Sequence, residues 1–221
     1  MKKLVIFDLD GTLMDTSLDL MNSMNGMLET FGFPLINVEQ TKEYIGNGAR
    51  NFVLRSLPEG CKDRIDEALA VYNRIYNASG SPLTALYSGM DEVIRSVKQA
   101  GALIAIVSNK PQTSTDEVYA KYLKDFEFDF VYGNRQGYAH KPQKDCGEFV
   151  LQELNVTEEN TIVVGDGETD VLFAKNLGAA CVAVTWGYRS RTVLEQAGAN
   201  SFADNTFELK EKLVKFIENR S

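Results

Sequence analysis

Five short apolar runs, at 4–7, 103–107, 128–132, 161–164 and 181–185, do most to restrict what this chain can fold into. Each has the length of a buried strand and is rich in Val, Ile or Phe. Stretches with helical patterning lie between or after the later ones, at 90–100, 114–124, 144–154, 169–177 and 207–218. Strands alternating with helices build parallel βαβ units, so the expected class is α/β, a doubly wound parallel sheet of Rossmann-like form. In such a sheet the working residues sit just beyond the carboxyl ends of the strands.

The first interval breaks the rhythm. From 15 to 84 there are 70 residues without a convincing strand, whereas a crossover needs little more than about a dozen. Thr16 with Asp19 reads as a capping box, with Leu18, Met21, Leu28 and Phe31 forming an apolar face until Gly32-Phe33-Pro34 stops the helix. A second long helix is expected over 63–77, and Ser79-Gly80-Ser81-Pro82 reads as a hinge. The expected organisation is a core of 1–14 and 85–221 with an inserted α-helical cap domain at 15–84, tethered by two passages of chain and able to open and close.

Composition excludes several classes. With 23 Lys+Arg against 31 Asp+Glu the formal charge is −8, and no basic run exceeds Lys2-Lys3. Nucleic acid and anionic membranes need clustered cations, so neither is an expected partner. Cys61, Cys146 and Cys181 are odd in number and far apart, without zinc-ligand spacing, which fits reduced thiols in a cytoplasmic protein. The N-terminal apolar run, broken by Asp8, is too short for a signal-peptide core, and no stretch has the length of a membrane span. The sequence carries no signal for oligomeric state.

The chemistry gathers at the strand ends. Asp8-Leu9-Asp10-Gly11-Thr12 follows the first run. Near-extended geometry turns both carboxylates to one side, and Gly11 lets the chain turn. Two acids so spaced can divide labour between nucleophile and proton carrier, although an Asp-x-Asp-Gly alone is also an ordinary turn. The run at 161–164 repeats the design with Gly165-Asp166-Gly167-Glu168-Thr169-Asp170, where Asp166 alone reads equally as a helix cap. Four carboxylates, Asp8, Asp10, Asp166 and Asp170, crowded into one crevice require a cation. Oxygen-only donors favour a hard ion, Mg²⁺, which also suits a phosphorylated small molecule. Ser108-Asn109-Lys110 offers a hydroxyl and a backbone N–H at another strand end, and Lys141, in the loop before the helix at 144–154, offers a positive charge.

These four motifs, in this order, resemble the haloacid dehalogenase superfamily, especially its phosphoglycolate phosphatase-like members, from Leu4 to about Phe216. The resemblance implies that Asp8 is the nucleophile and Asp10 the general acid and base. It implies that Ser108 and Lys141 hold the phosphoryl oxygens with Thr12 assisting, Asn109 standing beside them as a substrate-binding position. Asp8, the backbone carbonyl of Asp10, and Asp166 would ligate Mg²⁺, while Asp170 orients Lys141 or a metal-bound water. Tyr44-Ile45-Gly46-Asn47-Gly48 is similar to the cap loop that meets substrate, and Arg50 just after it would meet a substrate carboxylate, as in 2-phosphoglycolate, if not simply solvated.

Two positions depart from the family pattern. Gly167 stands where a serine is common, and Gln143-Lys144 follows Lys141-Pro142 where Pro is common two residues after the lysine. Neither change removes a charged group. The expected activity is therefore Mg²⁺-dependent hydrolysis of a small phosphomonoester, 2-phosphoglycolate or a sugar phosphate, through an aspartyl phosphate. The alternative is a β-phosphoglucomutase-like phosphotransferase, which shares all four motifs; a non-catalytic phosphate-binding protein is the alternative of another class. A dehalogenase has no use for Asp10, and a phosphonatase, for which Lys42 would be the cap lysine, would lack that acid.

Overall fold

The computed structural model describes residues 2–46, 48–135, 137 and 139–219. The chain divides into two compact units, one of Met1–Met14 with Leu86–Ser221 and the other of Asp15–Ala85. It starts with β1 (Leu4–Phe7) and β2 (Met14–Asp15). The insert then supplies α1 (Ser17–Thr30), α2 (Val38–Tyr44), α3 (Gly48–Ser56) and α4 (Ile65–Ser79). After β3 (Ala85–Leu86) come α5 (Met90–Gln99), β4 (Leu103–Pro111), α6 (Gln112–Val118) with a π turn over Tyr119–Leu123, and β5 (Phe130–Asn134). The remainder alternates strictly: α7 (Asp145–Leu154), β6 (Thr161–Gly165), α8 (Glu168–Leu177), β7 (Ala180–Val184), α9 (Arg191–Gln196), β8 (Phe202–Ala203) and α10 (Thr206–Glu218).

The main sheet has the order β5-β4-β1-β6-β7-β8, and its neighbours run parallel. Period-two alternation sends Val5, Phe7, Ile104, Ile106, Ile162 and Val164 to one face, against Val93, Ile94 and Val97 of α5 and Leu209 and Leu213 of α10. Leu4, Ile6, Ala105, Val107 and Val163 point to the other face, against Val150 of α7 and Phe173 and Leu177 of α8. The sheet is thus doubly wound, as the sequence implies. Chain order departs from β1 in both directions, toward β4 and β5 on one side and toward β6, β7 and β8 on the other, which makes β1 the switch point of the sheet. Register does the rest: Phe7 lies opposite Ile106 and Val164, so the residues just past three strands emerge side by side.

The insert has its own core. Leu20, Met24, Met27 and Leu28 of α1 pack with Phe52 and Val53 of α3 and Ala68, Tyr72 and Tyr76 of α4. Met24 and Met27 are therefore filler, the ordinary use of a flexible thioether. Two expectations for α1 are corrected. Its buried stripe runs through Leu20, Met24, Met27 and Leu28, while Leu18 is exposed, so the apolar face is rotated from the expected one. Thr16 makes no side-chain cap; Asp19 instead accepts hydrogen bonds from the Leu83 amide at 3.0 Å and the Thr84 hydroxyl at 2.8 Å. A long-range pair of donors at the far end of the insert outcompetes the local cap, because a buried carboxylate needs its lone pairs filled.

Candidate active site

The ends of β1 and its neighbouring strands carry a group of polar side chains that are largely buried and paired. Asp8 follows β1 directly, its amide bonded to the Val164 carbonyl of β6 at 2.9 Å. Lys141, in the loop between β5 and α7, is 2 % exposed. Its Nζ donates to Asp8 Oδ1 at 2.7 Å and to Asp170 Oδ1 at 2.6 Å. Asp170, in the first turn of α8, also accepts the Gly167 amide on Oδ2 at 3.0 Å, so both oxygens are occupied. The expected partnership of Asp170 with Lys141 is present as a direct ion pair.

Asp166, just past β6, has a hydrogen bond on each oxygen. Thr12 donates its hydroxyl to Oδ1 at 2.9 Å, and the Tyr188 amide donates to Oδ2 at 2.8 Å. Glycine is required at two neighbours. At Gly11, φ is +88° and an added Cβ would stand 2.4 Å from Asp166 Oδ2. At Gly187 the added Cβ would stand 2.2 Å from the Asp166 Cβ. Any side chain at either position would displace the carboxylate.

Asp8, Asp166 and Asp170 each bring a carboxylate oxygen to within 4.8 Å of the others. Burial, then the charge of Asp170, pushes the Asp8 carboxyl up to about 8 and Asp166 up to about 7. Burial acts to lower the Lys141 pKa, yet Asp170 and Asp8 outweigh it and hold the ammonium charged. The carboxylates are therefore short of positive charge in the bare protein. Once ionised, the three carboxylates of Asp8, Asp166 and Asp170 against the one ammonium of Lys141 leave two negative charges, which one divalent cation would balance. An all-oxygen donor set of this kind fits a hard ion.

The other expected residues fall as follows. Ser108 is buried on β4, and its hydroxyl oxygen accepts the Lys110 amide at 3.2 Å. Asn109 donates Nδ2 to the Lys141 carbonyl at 3.0 Å, which ties the end of β4 to the Lys141 loop. Asp10 lies apart from the carboxylate trio, its side chain paired with Lys110. Gly46, Gly48 and Arg50 belong to the insert, where Gly48 opens α3 and Arg50 bonds Asp66 at 2.6 Å with both side chains mostly exposed. Asn47 lies outside the described residues.

Two contributors escaped the sequence reading. The segment after β7 supplies the Tyr188 amide, Gly187 at the back of Asp166, and Trp186, whose Nε1 donates to the Thr12 carbonyl at 3.2 Å. The one local signal was a glycine just past a strand end. Lys110 is the second; it reads as the polar tail of a strand and is buried. Buried Cys146 and half-buried Cys181 are poor rival nucleophiles, since desolvation pushes their thiols up to about 11 and about 12.

A family model for haloacid dehalogenase-like hydrolases matches residues 5–184. Phosphoglycolate phosphatase 1 of Pseudomonas aeruginosa is 33 % identical over 202 residues, covering 88 % of this chain and 74 % of that protein. Phosphoglycolate phosphatase of Vibrio parahaemolyticus is 30 % identical over 221 residues, covering 95 % of each. A crystal structure from Lactobacillus delbrueckii subsp. bulgaricus, provisionally described as a phosphoglycolate phosphatase, superposes with a TM-score of 0.90 at 28 % identity, covering 96 % of this chain and 99 % of that one.

Proposed function

The chain belongs to the haloacid dehalogenase-like hydrolases and is a phosphoric monoester hydrolase, and on that premise we propose a Mg²⁺-dependent phosphatase that acts on a small phosphomonoester through an aspartyl phosphate on Asp8. 2-Phosphoglycolate is the first substrate to test, because the relatives named above carry that name. The observation that carries the reading is the buried Asp8–Lys141–Asp170 chain at the end of the central strand, with Asp166 beside it.

The steps follow from what each side chain can do. An Asp8 carboxylate oxygen forms a bond to phosphorus as the ester P–O bond breaks. The electron pair of that bond leaves on the alcohol oxygen, which takes a proton from Asp10. Water then adds to phosphorus, giving a proton to Asp10, and the Asp8 O–P bond breaks to release inorganic phosphate. Lys141, fixed by Asp170, balances charge at Asp8 and at the phosphoryl oxygens, with the Ser108 hydroxyl on the other side. Thr12 acts by holding Asp166. Asp8, the Asp10 carbonyl and Asp166 would hold Mg²⁺, which when bound supplies positive charge to these carboxylates and to the phosphoryl oxygens. We assign residues 15–84 as the cap, with Gly46, Asn47, Gly48 and Arg50 as its substrate-facing candidates.

Phosphate release from 2-phosphoglycolate and a panel of sugar phosphates, with Mg²⁺ and with EDTA, tests the reading. Turnover should require the metal and proceed without any sugar bisphosphate. Asp8→Asn should lower kcat by at least about 10³-fold with the fold retained. Undiminished activity in that variant refutes the mechanism, and strict dependence on a bisphosphate activator refutes the phosphatase.

A further inference from the structure

We infer that Lys110 is a positioning residue for Asp10, fixing the carboxylate that exchanges protons with the leaving oxygen and with water; this rests on the mechanism proposed above. Lys110 sits on β4, and its side chain is 4 % exposed while that of Asp10 is 17 % exposed. Its Nζ lies 3.0 Å from Asp10 Oδ1 and 3.2 Å from Oδ2, across 100 residues of sequence. An ammonium centred on both oxygens restrains the torsion of the carboxylate.

The division of the lysines makes the pairing specific. Lys141 serves Asp8 and Asp170, whereas Lys110 serves Asp10, the acid outside the carboxylate trio. Desolvating an ammonium is costly, so a lysine kept in this position needs a function that an apolar residue cannot supply. Its own backbone is fixed as well, since the Lys110 amide donates to the Ser108 hydroxyl oxygen at 3.2 Å. One turn of strand end thus presents a hydroxyl toward the phosphoryl group and aims the acid at the leaving oxygen.

Leaving-group dependence separates this role from a merely structural one. Departure of 4-nitrophenolate needs no proton, whereas the alkoxide of 2-phosphoglycolate does. The value of kcat/KM reports steps through alcohol release and is blind to later hydrolysis of the aspartyl phosphate. In Lys110→Met, kcat/KM for 2-phosphoglycolate should fall by about 10²-fold or more, and for 4-nitrophenyl phosphate by less than about fivefold. Lys110→Arg should recover much of the loss. Asp10→Asn, measured in parallel, should show the same selectivity. Selective loss in Asp10→Asn with equal losses, or none, in Lys110→Met overturns the role of Lys110 alone. Absence of selectivity in Asp10→Asn overturns the role of Asp10 and that of Lys110 with it. Should Lys110→Met lose cooperative melting, Lys110→Gln, which keeps a donor toward Asp10, is judged by the same two substrates.

Discussion

The two units of the molecule differ in where they put charge: among the described residues, only the core unit buries ion pairs. In the core unit the ion pairs at the strand ends are buried, the side chains of Lys141 and Asp170 being 3 % and 2 % exposed, while pairs away from them, such as Lys144–Glu148 and Arg191–Asp204, lie in water. In the insert, the ion pairs among the described residues lie in water, with Arg50 and Asp66 at 57 % and 83 %, and Arg64–Glu67 and Lys62–Glu59 also exposed. Exposed pairs contribute about 0–1 kcal/mol each, whereas breaking a buried one costs several times more. The insert is held by its methionine and aromatic core, including Tyr72 stacked on Tyr76 and edge-on to Phe52. In the mechanism proposed above, the core unit's buried charge serves chemistry, whereas Asp19, the buried carboxylate of the insert, ties together two points of its own unit.

The sharpest test of that contrast is Lys141→Met. It leaves Asp8 and Asp170 buried without their shared cation, so denaturant unfolding at neutral pH in EDTA should lose about 3–5 kcal/mol, and phosphate release should vanish. A variant of wild-type stability would put the core's ion pairs on the footing of the insert's. Asp19→Ala comes next. It strands the Leu83 amide and the Thr84 hydroxyl in a buried place, a cost of about 1–3 kcal/mol in the same melts. No loss would mean that water replaces the carboxylate.

The protonation of these carboxylates gives a third test. Asp8 and Asp166 have folded-state pKa values raised from 3.8 to about 8 and about 7. The folded state thus binds their protons more tightly than the unfolded chain does. Their contribution to stability is complete below the unfolded value and is lost as pH rises through the folded ones. In EDTA the Tm should fall between pH 5 and pH 8.5, and Mg²⁺ should raise Tm more at the upper pH. An equal Mg²⁺ response at both would separate metal binding from these two carboxyls. The smallest change belongs to Arg50→Ala, within about 0.5 kcal/mol of wild type. A rise in KM confined to substrates that carry a carboxylate would give the insert a charge used for recognition and break the comparison there.

The fold was legible where burial on both faces forces apolar runs. β1, β4, β6 and β7 each start within one residue of expectation, since Val and Ile alternate to two cores at once. β5 begins at Phe130 instead of 128, because Phe128 packs in the core from the preceding loop and the Asp129 side chain accepts the Ile104 amide. β8 is two residues long and carries no period to read. Asp8, Asp166, Asp170 and Lys141 were readable as strand-end charges and do meet. Lys110 was not, because nothing local distinguishes a strand-end lysine that turns inward from one that stays in water. The Tyr188 amide was equally hidden, since a backbone donor has no residue type.

The Asp19 contact has a consequence for the chain as a polymer. It joins α1 to a point 64 residues onward, so the two ends of the insert are pinned together where it leaves and returns. Closing so long a flexible loop costs roughly 4 kcal/mol. A folded insert with pinned ends bears that cost through its own packing. The strands on either side then find one another as though joined by a short connection, and the length of what lies between ceases to weigh on their assembly.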